Sequence, residues 1–224
     1  SRPPRVRSSP GFAAAAVAIP AEPFAEQYHD AFGRVVRAIE RDGSESHLVY
    51  GALETEALDA LDTGINGAGS DDFLGTGTTT RTDGHGRTID QVLVNRLPGQ
   101  GAMDNQYYRL LTRYRNDGAV LGVKRVQTAT DAAVDYASVT PVGGNQLERL
   151  FTYDTLGRRI GTVDPDSDSQ DPAATDATRG WRYLFNTVGD LIAVRDARGC
   201  GQNFYYDHAG RLVAEDYVEC GESE

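Results

Sequence analysis

The stretch YDHAGRLVAEDY, Tyr206–Tyr217, decides the fold, because its layout recurs along the chain. FTYDTLGRRIGTV, Phe151–Val163, repeats it, as does YHDAFGRVVRAIE from Tyr28, with one residue added between Tyr and Asp. TRTDGHGRTIDQVL from Thr80 keeps Asp83, Gly86 and Arg87 but lacks the tyrosine. YLFNTVGDLIAV from Tyr183 keeps the turn and the strand and loses the arginine. A unit that recurs in this way defines a repeat architecture.

The unit has a mechanical reading. An aromatic strand residue is followed by Asp, two variable residues, Gly, Arg and an alternating apolar run. Asp at the first turn position bonds the backbone two residues on. Gly three places later accepts positive φ without a Cβ clash. Together they spell a short hairpin loop built on a type I turn with a bulged glycine. After the turn, Leu212, Ala214 and Asp216 share one face, and Arg211, Val213 and Glu215 the other. The expected fold class is all-β, a ribbon of hairpins with irregular loops and at most one short helix.

These residues resemble YD repeats, the unit of the Rhs family, found also in the BC component of Tc toxins and in teneurins. Tyr206, Asp207, Gly210, Arg211 and Leu212 match the family pattern in full, and Tyr153, Asp154, Gly157 and Arg158 match it closely. Tyr28, Asp30, Gly33 and Arg34 match in part, as do Asp83, Gly86 and Arg87. The resemblance covers the chain from about Tyr28 onward. It implies a β-ribbon that spirals into a hollow shell enclosing a toxic C-terminal segment, released by self-cleavage at a core motif of the DPxGL type. That motif is absent from this sequence, so a piece of shell wall is expected. The implied parent is secreted or displayed at the cell surface, and the implied partners are neighbouring repeats and an enclosed toxin segment.

Composition agrees with a strand-rich chain. The 224 residues include 25 Gly and 11 Tyr but one Trp and one Met. A formal net charge of −11 argues against nucleic-acid binding, which needs a clustered basic surface. No apolar run approaches the roughly 20 residues of a membrane-spanning helix. Residues 1–27 are rich in Pro, Ala and Arg and read as a linker or irregular lead-in. Pro20 interrupts their apolar stretch, which argues against a signal peptide and for a mid-protein start. Residues 28–224 form the repeat segment, with a polar insertion at 164–180. Within it, HLVYGAL from His47 reads as strand. Leu53, Ala57, Leu58 and Leu61 have helical spacing, so a strand running into a short helix or loop is expected. Asn116, Asp117 and Gly118 mark a tight hairpin.

Several residue patterns resemble chemical sites without completing them. Asp164, Asp166, Asp168 and Asp171 alternate like ligands of a calcium loop. Ser169 and Thr175 stand where such a loop needs Gly and a bidentate Glu, so a solvated acidic insertion is the better reading. The glycines between Gly67 and Gly77 lack the Lys-Ser/Thr of a phosphate loop. His29, His85 and His208 sit at variable turn positions, and no serine elbow accompanies them or His47. No metal, cofactor or catalytic residue is therefore assigned. Arg34, Arg87, Arg158 and Arg211 recur directly after the turn glycine. Each is expected to stack on a strand aromatic or to pair with the turn Asp of a neighbour, rather than to bind a glycan or cargo. Cys200 and Cys220 flank the last turn and are expected at the open end of its hairpin, opposite or diagonal to each other. A cross-strand disulfide is within reach there, and two partly buried thiols are the alternative.

The residues thus point to a non-catalytic structural segment of an encapsulating shell. An extracellular carbohydrate-binding or adhesion module built of the same repeats is the alternative, and it calls for exposed aromatics gathered on one face.

Overall fold

The structure, a computed structural model, describes residues 5–8, 24–64, 73–97, 99, 104–144, 146–165 and 180–220. The calcium-type residues Asp166, Asp168 and Asp171, most of the 164–180 insertion and the glycines at 67 and 69 lie outside them.

The chain is all-β. Its strands are β1 (Arg5–Ser8), β2 (Ala25–His29), β3 (Val35–Ile39), β4 (Glu45–Tyr50), β5 (Glu54–Leu58), β6 (Thr78–Thr82), β7 (Thr88–Asn95) and β8 (Gln106–Tyr114). There follow β9 (Val120–Thr128), β10 (Gln146–Tyr153), β11 (Arg159–Val163), β12 (Trp181–Phe185), β13 (Leu191–Arg195), β14 (Gly201–Tyr206) and β15 (Leu212–Val218). Each strand is hydrogen-bonded to the strands before and after it in sequence. Every pairing with a resolved register is antiparallel. Strand β1 and the start of β2 fall inside the stretch expected as lead-in.

The residues with helical spacing do not form one helix. Glu54–Leu58 is strand, and only Ala60–Thr63 (α1) is helical. The segment ETEAL favours helix by propensity, but here it completes ladders to β4 and to β6. Two flanking ladders override local preference. Asp59 then caps α1, accepting the Leu61 and Asp62 amides, while Asp62 accepts the Asp59 amide in return.

Residue contacts divide the chain into two compact units, Ser1–Leu111 with Val126–Asn145, and Thr112–Arg125 with Gln146–Glu224. In the first, Val92, Leu111 and Val126 are buried. They share their layer with a buried ionic group. Asp90 Oδ2 accepts from Arg109 Nη1 at 2.6 Å and from Arg81 Nη1 at 2.9 Å. Arg109 also donates to Thr128 Oγ1 and to the Thr130 and Ala132 carbonyls, which holds the segment after β9 against this face. In the second unit Ala193 is the one buried apolar side chain among the described residues.

Candidate functional site: the repeat turn and its staple

Among the described residues eight turns share one backbone frame. In the turn from Asp207, the Gly210 amide donates to the Asp207 carbonyl at 3.0 Å, and the Asp207 amide donates to the Arg211 carbonyl at 2.9 Å. The same pair of bonds recurs from Asp30, Glu40, Asp83, Arg115, Asp154, Asn186 and Asp196. The closing glycine has positive φ each time, 81° at Gly157 and 75° at Gly210. Register shifts beside the turns mark β-bulges, for example between Thr152 and Tyr153 and between Tyr205 and Tyr206.

The turn aspartate accepts three hydrogen bonds from its own turn. Asp154 Oδ1 accepts the Leu156 amide at 2.9 Å and the Arg158 amide at 2.8 Å, and Oδ2 accepts Arg158 Nε at 2.6 Å. Asp30 with Arg34, Asp83 with Arg87 and Asp207 with Arg211 repeat this clamp. The repeat arginine therefore pairs with the aspartate of its own turn, not a neighbour's. Four residues across a type I turn is the distance at which Nε meets Oδ2, so the local partner wins. The side-chain bond from Arg87, with amide bonds behind it, outweighs desolvation and lowers the Asp83 carboxyl to about 2. Arg115 beside Asp117 does the same, again to about 2. At Asp30 and Asp154 burial acts to raise the carboxyl, but bonds from Arg34 and Arg158 outweigh it and the net direction is down.

The aromatic position has a different task. Three of the ladders are short. β3 meets β4 only at Arg37–Ile39, β11 meets β12 at Gly161–Thr162, and β13 meets β14 at Ala193–Arg195. Beyond these pairs no ladder joins β3 to β4, β11 to β12 or β13 to β14, and side chains reach across. The Tyr206 hydroxyl donates to the Leu191 carbonyl at 3.0 Å, and the Tyr153 hydroxyl to the Val120 carbonyl at 3.0 Å. In each case the acceptor lies two residues beyond the glycine of the preceding turn. The clamp arginines reach forward as well. Arg158 lies 4.8 Å over the Phe185 ring and donates to the Asn186 carbonyl at 3.3 Å. Arg115 lies 5.2 Å over Tyr153, and Arg34 lies 4.2 Å over Tyr50. Beside Arg34 and Tyr50 the parted strands leave an open groove of about 410 Å³.

Tyr28 stands apart from this pattern. His29 occupies the place before Asp30, and the Tyr28 hydroxyl donates to Glu26 while its ring lies beneath Arg37. Cys200 follows the Asp196–Gly199 turn in the place arginine takes elsewhere, and it is joined by a disulfide to Cys220. The turns at Glu40–Gly43 and Asp196–Gly199 are not marked by the tyrosine-led pattern. At Asp196 the Asp-x-x-Gly spacing by itself was the available signal. Among the described residues no group of three or more His, Cys, Asp or Glu is placed to hold a metal ion, and no helix is long and apolar enough to cross a membrane.

No protein-family model matches the chain, and no curated protein does. Solved structures do. The crystal structure of TcdB2–TccC3–Cdc42 superposes with a TM-score of 0.63 at 17% identity, over 90% of this chain and 9% of that one. The Photorhabdus luminescens Tc holotoxin pore, carrying a TccC3 mutation, gives 0.62 at 17% identity over 90% and 9%. TcdB2–TccC3–TEV gives 0.61 at 18% identity, again over 90% and 9%. The fold of this chain is thus the all-β fold of part of these Tc toxin chains, and the chain spans about 9% of their length.

Proposed function

We propose that the chain is a non-catalytic stretch of wall in an Rhs-like shell, whose parent protein encloses a C-terminal toxin effector and is secreted or displayed at the cell surface. The carrying observation is where the repeat residues spend their bonding capacity. Tyr153, Tyr206, Arg115 and Arg158 bind the next or the previous hairpin, and the turn aspartates are engaged by their own arginines and turn amides. Side chains committed in this way build a wall and have little capacity left for a substrate. The fold shared with Tc toxin chains supports the reading, and the Cys200–Cys220 disulfide suits an oxidising compartment. An adhesion module receives no comparable support. Gln202 faces Tyr217 across the β14–β15 ladder and Tyr205 lies three residues on, so Tyr205 and Tyr217, both exposed, project to opposite faces.

The test is the longer parent chain under limited proteolysis. Its C-terminal segment should resist protease until denaturant opens the repeats. Digestion of that segment at the rate of a free polypeptide would overturn the proposal.

A further inference from the structure

Strands β9 and β10 are joined by a long irregular segment. Residues 129–144 contain no strand and no α-helix. Connections of more than about 12–15 residues are uncommon in compact domains and usually do more than connect. The main-chain bonds of this segment are internal. The Ser138 and Val139 amides donate to the Asp135 carbonyl, and the Gly144 amide to the Pro141 carbonyl. Among the described residues no main-chain hydrogen bond runs from it to a strand.

One side chain of the sheet fastens it instead. Arg109 of β8 is fully enclosed, and its Nη2 donates to the Thr130 carbonyl at 2.8 Å and to the Ala132 carbonyl at 2.6 Å. Its Nε donates to Thr128 Oγ1 at 2.8 Å, and that hydroxyl donates to the Thr130 carbonyl at 2.9 Å. Asp90 of β7 holds the same guanidinium through Nη1. Asp90 pairs with Leu111 across the β7–β8 ladder and Val92 pairs with Arg109, so all four share one face. Val92 is 0% exposed and Leu111 1%. The bonds of Arg109 put residues 130–132 over that face, and Val134, Tyr136 and Val139 of the same segment are half-buried. Closure is opposed by one group. Asp90 is itself buried, and its Oδ1 has no hydrogen-bond partner among the described residues. A buried carboxylate oxygen left in that state costs free energy, which hydration returns on opening.

We infer that residues 129–141 are a releasable strap, latched to the sheet by Arg109 and opening as a unit while the strands stay paired. Opening bares Val92 and Leu111. The latch depends on the planar fork of arginine, which reaches a hydroxyl, two carbonyls and a carboxylate at once. A lysine keeps the charge that Asp90 requires but is a point donor and does not span the other three. The strap lies within the first compact unit and stands whether or not the parent chain encloses a cargo.

The test uses the whole chain. Both native cysteines are in the disulfide, so Val92→Cys places the only free thiol. Under native conditions a maleimide should label it at least about tenfold faster than the sheet unfolds by circular dichroism. Adding Arg109→Lys should speed labelling about tenfold again with the unfolding rate unchanged. Thr128→Val keeps the volume and removes one hydroxyl from the latch, and it should speed labelling about fivefold. Should Arg109→Lys fail to fold, Thr128→Val decides alone. Labelling no faster than unfolding overturns the strap. Fast labelling that neither substitution changes overturns the latch. A substitution that speeds labelling and unfolding alike shows strap and sheet parting together, and overturns the inference as well.

Discussion

Each turn rests on two residues with separable roles. Glycine supplies the left-handed backbone, and aspartate supplies the acceptors. Gly157 has φ of 81°, and only the flexible end of Arg115 lies near its added Cβ, so Gly157→Ala should cost the backbone penalty, about 1–2 kcal/mol. At Gly201 an added Cβ would overlap the Val194 carbonyl oxygen of the paired strand β13. Gly201→Ala should therefore cost more, up to about 3 kcal/mol, and urea midpoints will rank the two variants. The aspartates give a pH signature. The Asp83 and Asp117 carboxyls lie near 2, below the ordinary value of 3.8. A lowered folded value means that the clamp contributes fully above about pH 4 and is lost as pH falls towards 2. Asp83→Asn should flatten that acid limb while keeping the turn, because Asn186 already makes the same turn with its side-chain amide. A limb of unchanged slope would count against the clamp. Asp and Gly were legible in the sequence because their chemistry is local. The Asp90–Arg109–Arg81 group was not, since those residues meet only once strand register is known.

Among the elements, legibility follows how local the determinants are. The Asn116–Gly118 hairpin and the repeat hairpins form where their turn residues predict. The segment Leu53–Leu61 does not follow its helical spacing, because β4 and β6 offer it ladders on both sides. The short ladders leave no mark in the sequence at all. The tyrosine before the turn supplies a tie of its own: its hydroxyl reaches a main-chain carbonyl of the preceding strand. Tyr153→Phe and Tyr206→Phe should each lose about 1 kcal/mol, a typical net hydrogen bond. Tyr50 is the control. It carries the stacked Arg34, but its hydroxyl has no hydrogen bond among the described residues, so Tyr50→Phe should leave stability unchanged. Thermal melts of the three variants suffice, and equal losses at all three positions would mean that the ring alone matters.

For the whole molecule, the same turn frame recurs in both compact units without marking where they divide, because β8 and β9 belong partly to each. What separates the units is how they are held. Val92, Leu111 and Val126 are buried in the first, beside the Asp90–Arg109 pair, whereas the second buries Ala193 and carries the disulfide. Buried apolar area is the larger stabilising quantity, and regions with little of it open first. Amides of β12–β15 should accordingly exchange before those of β7 and β8, and denaturant should unfold the chain in two steps. The disulfide spans 20 residues of the second unit, and a loop of that size is worth about 3 kcal/mol through the unfolded state. Reduction, or a Cys200→Ser, Cys220→Ser double variant, should therefore move the lower transition alone. A single cooperative transition that shifts as one on reduction would show that the two units share their stability through the β8–β9 hairpin, and the difference in core would then carry no weight.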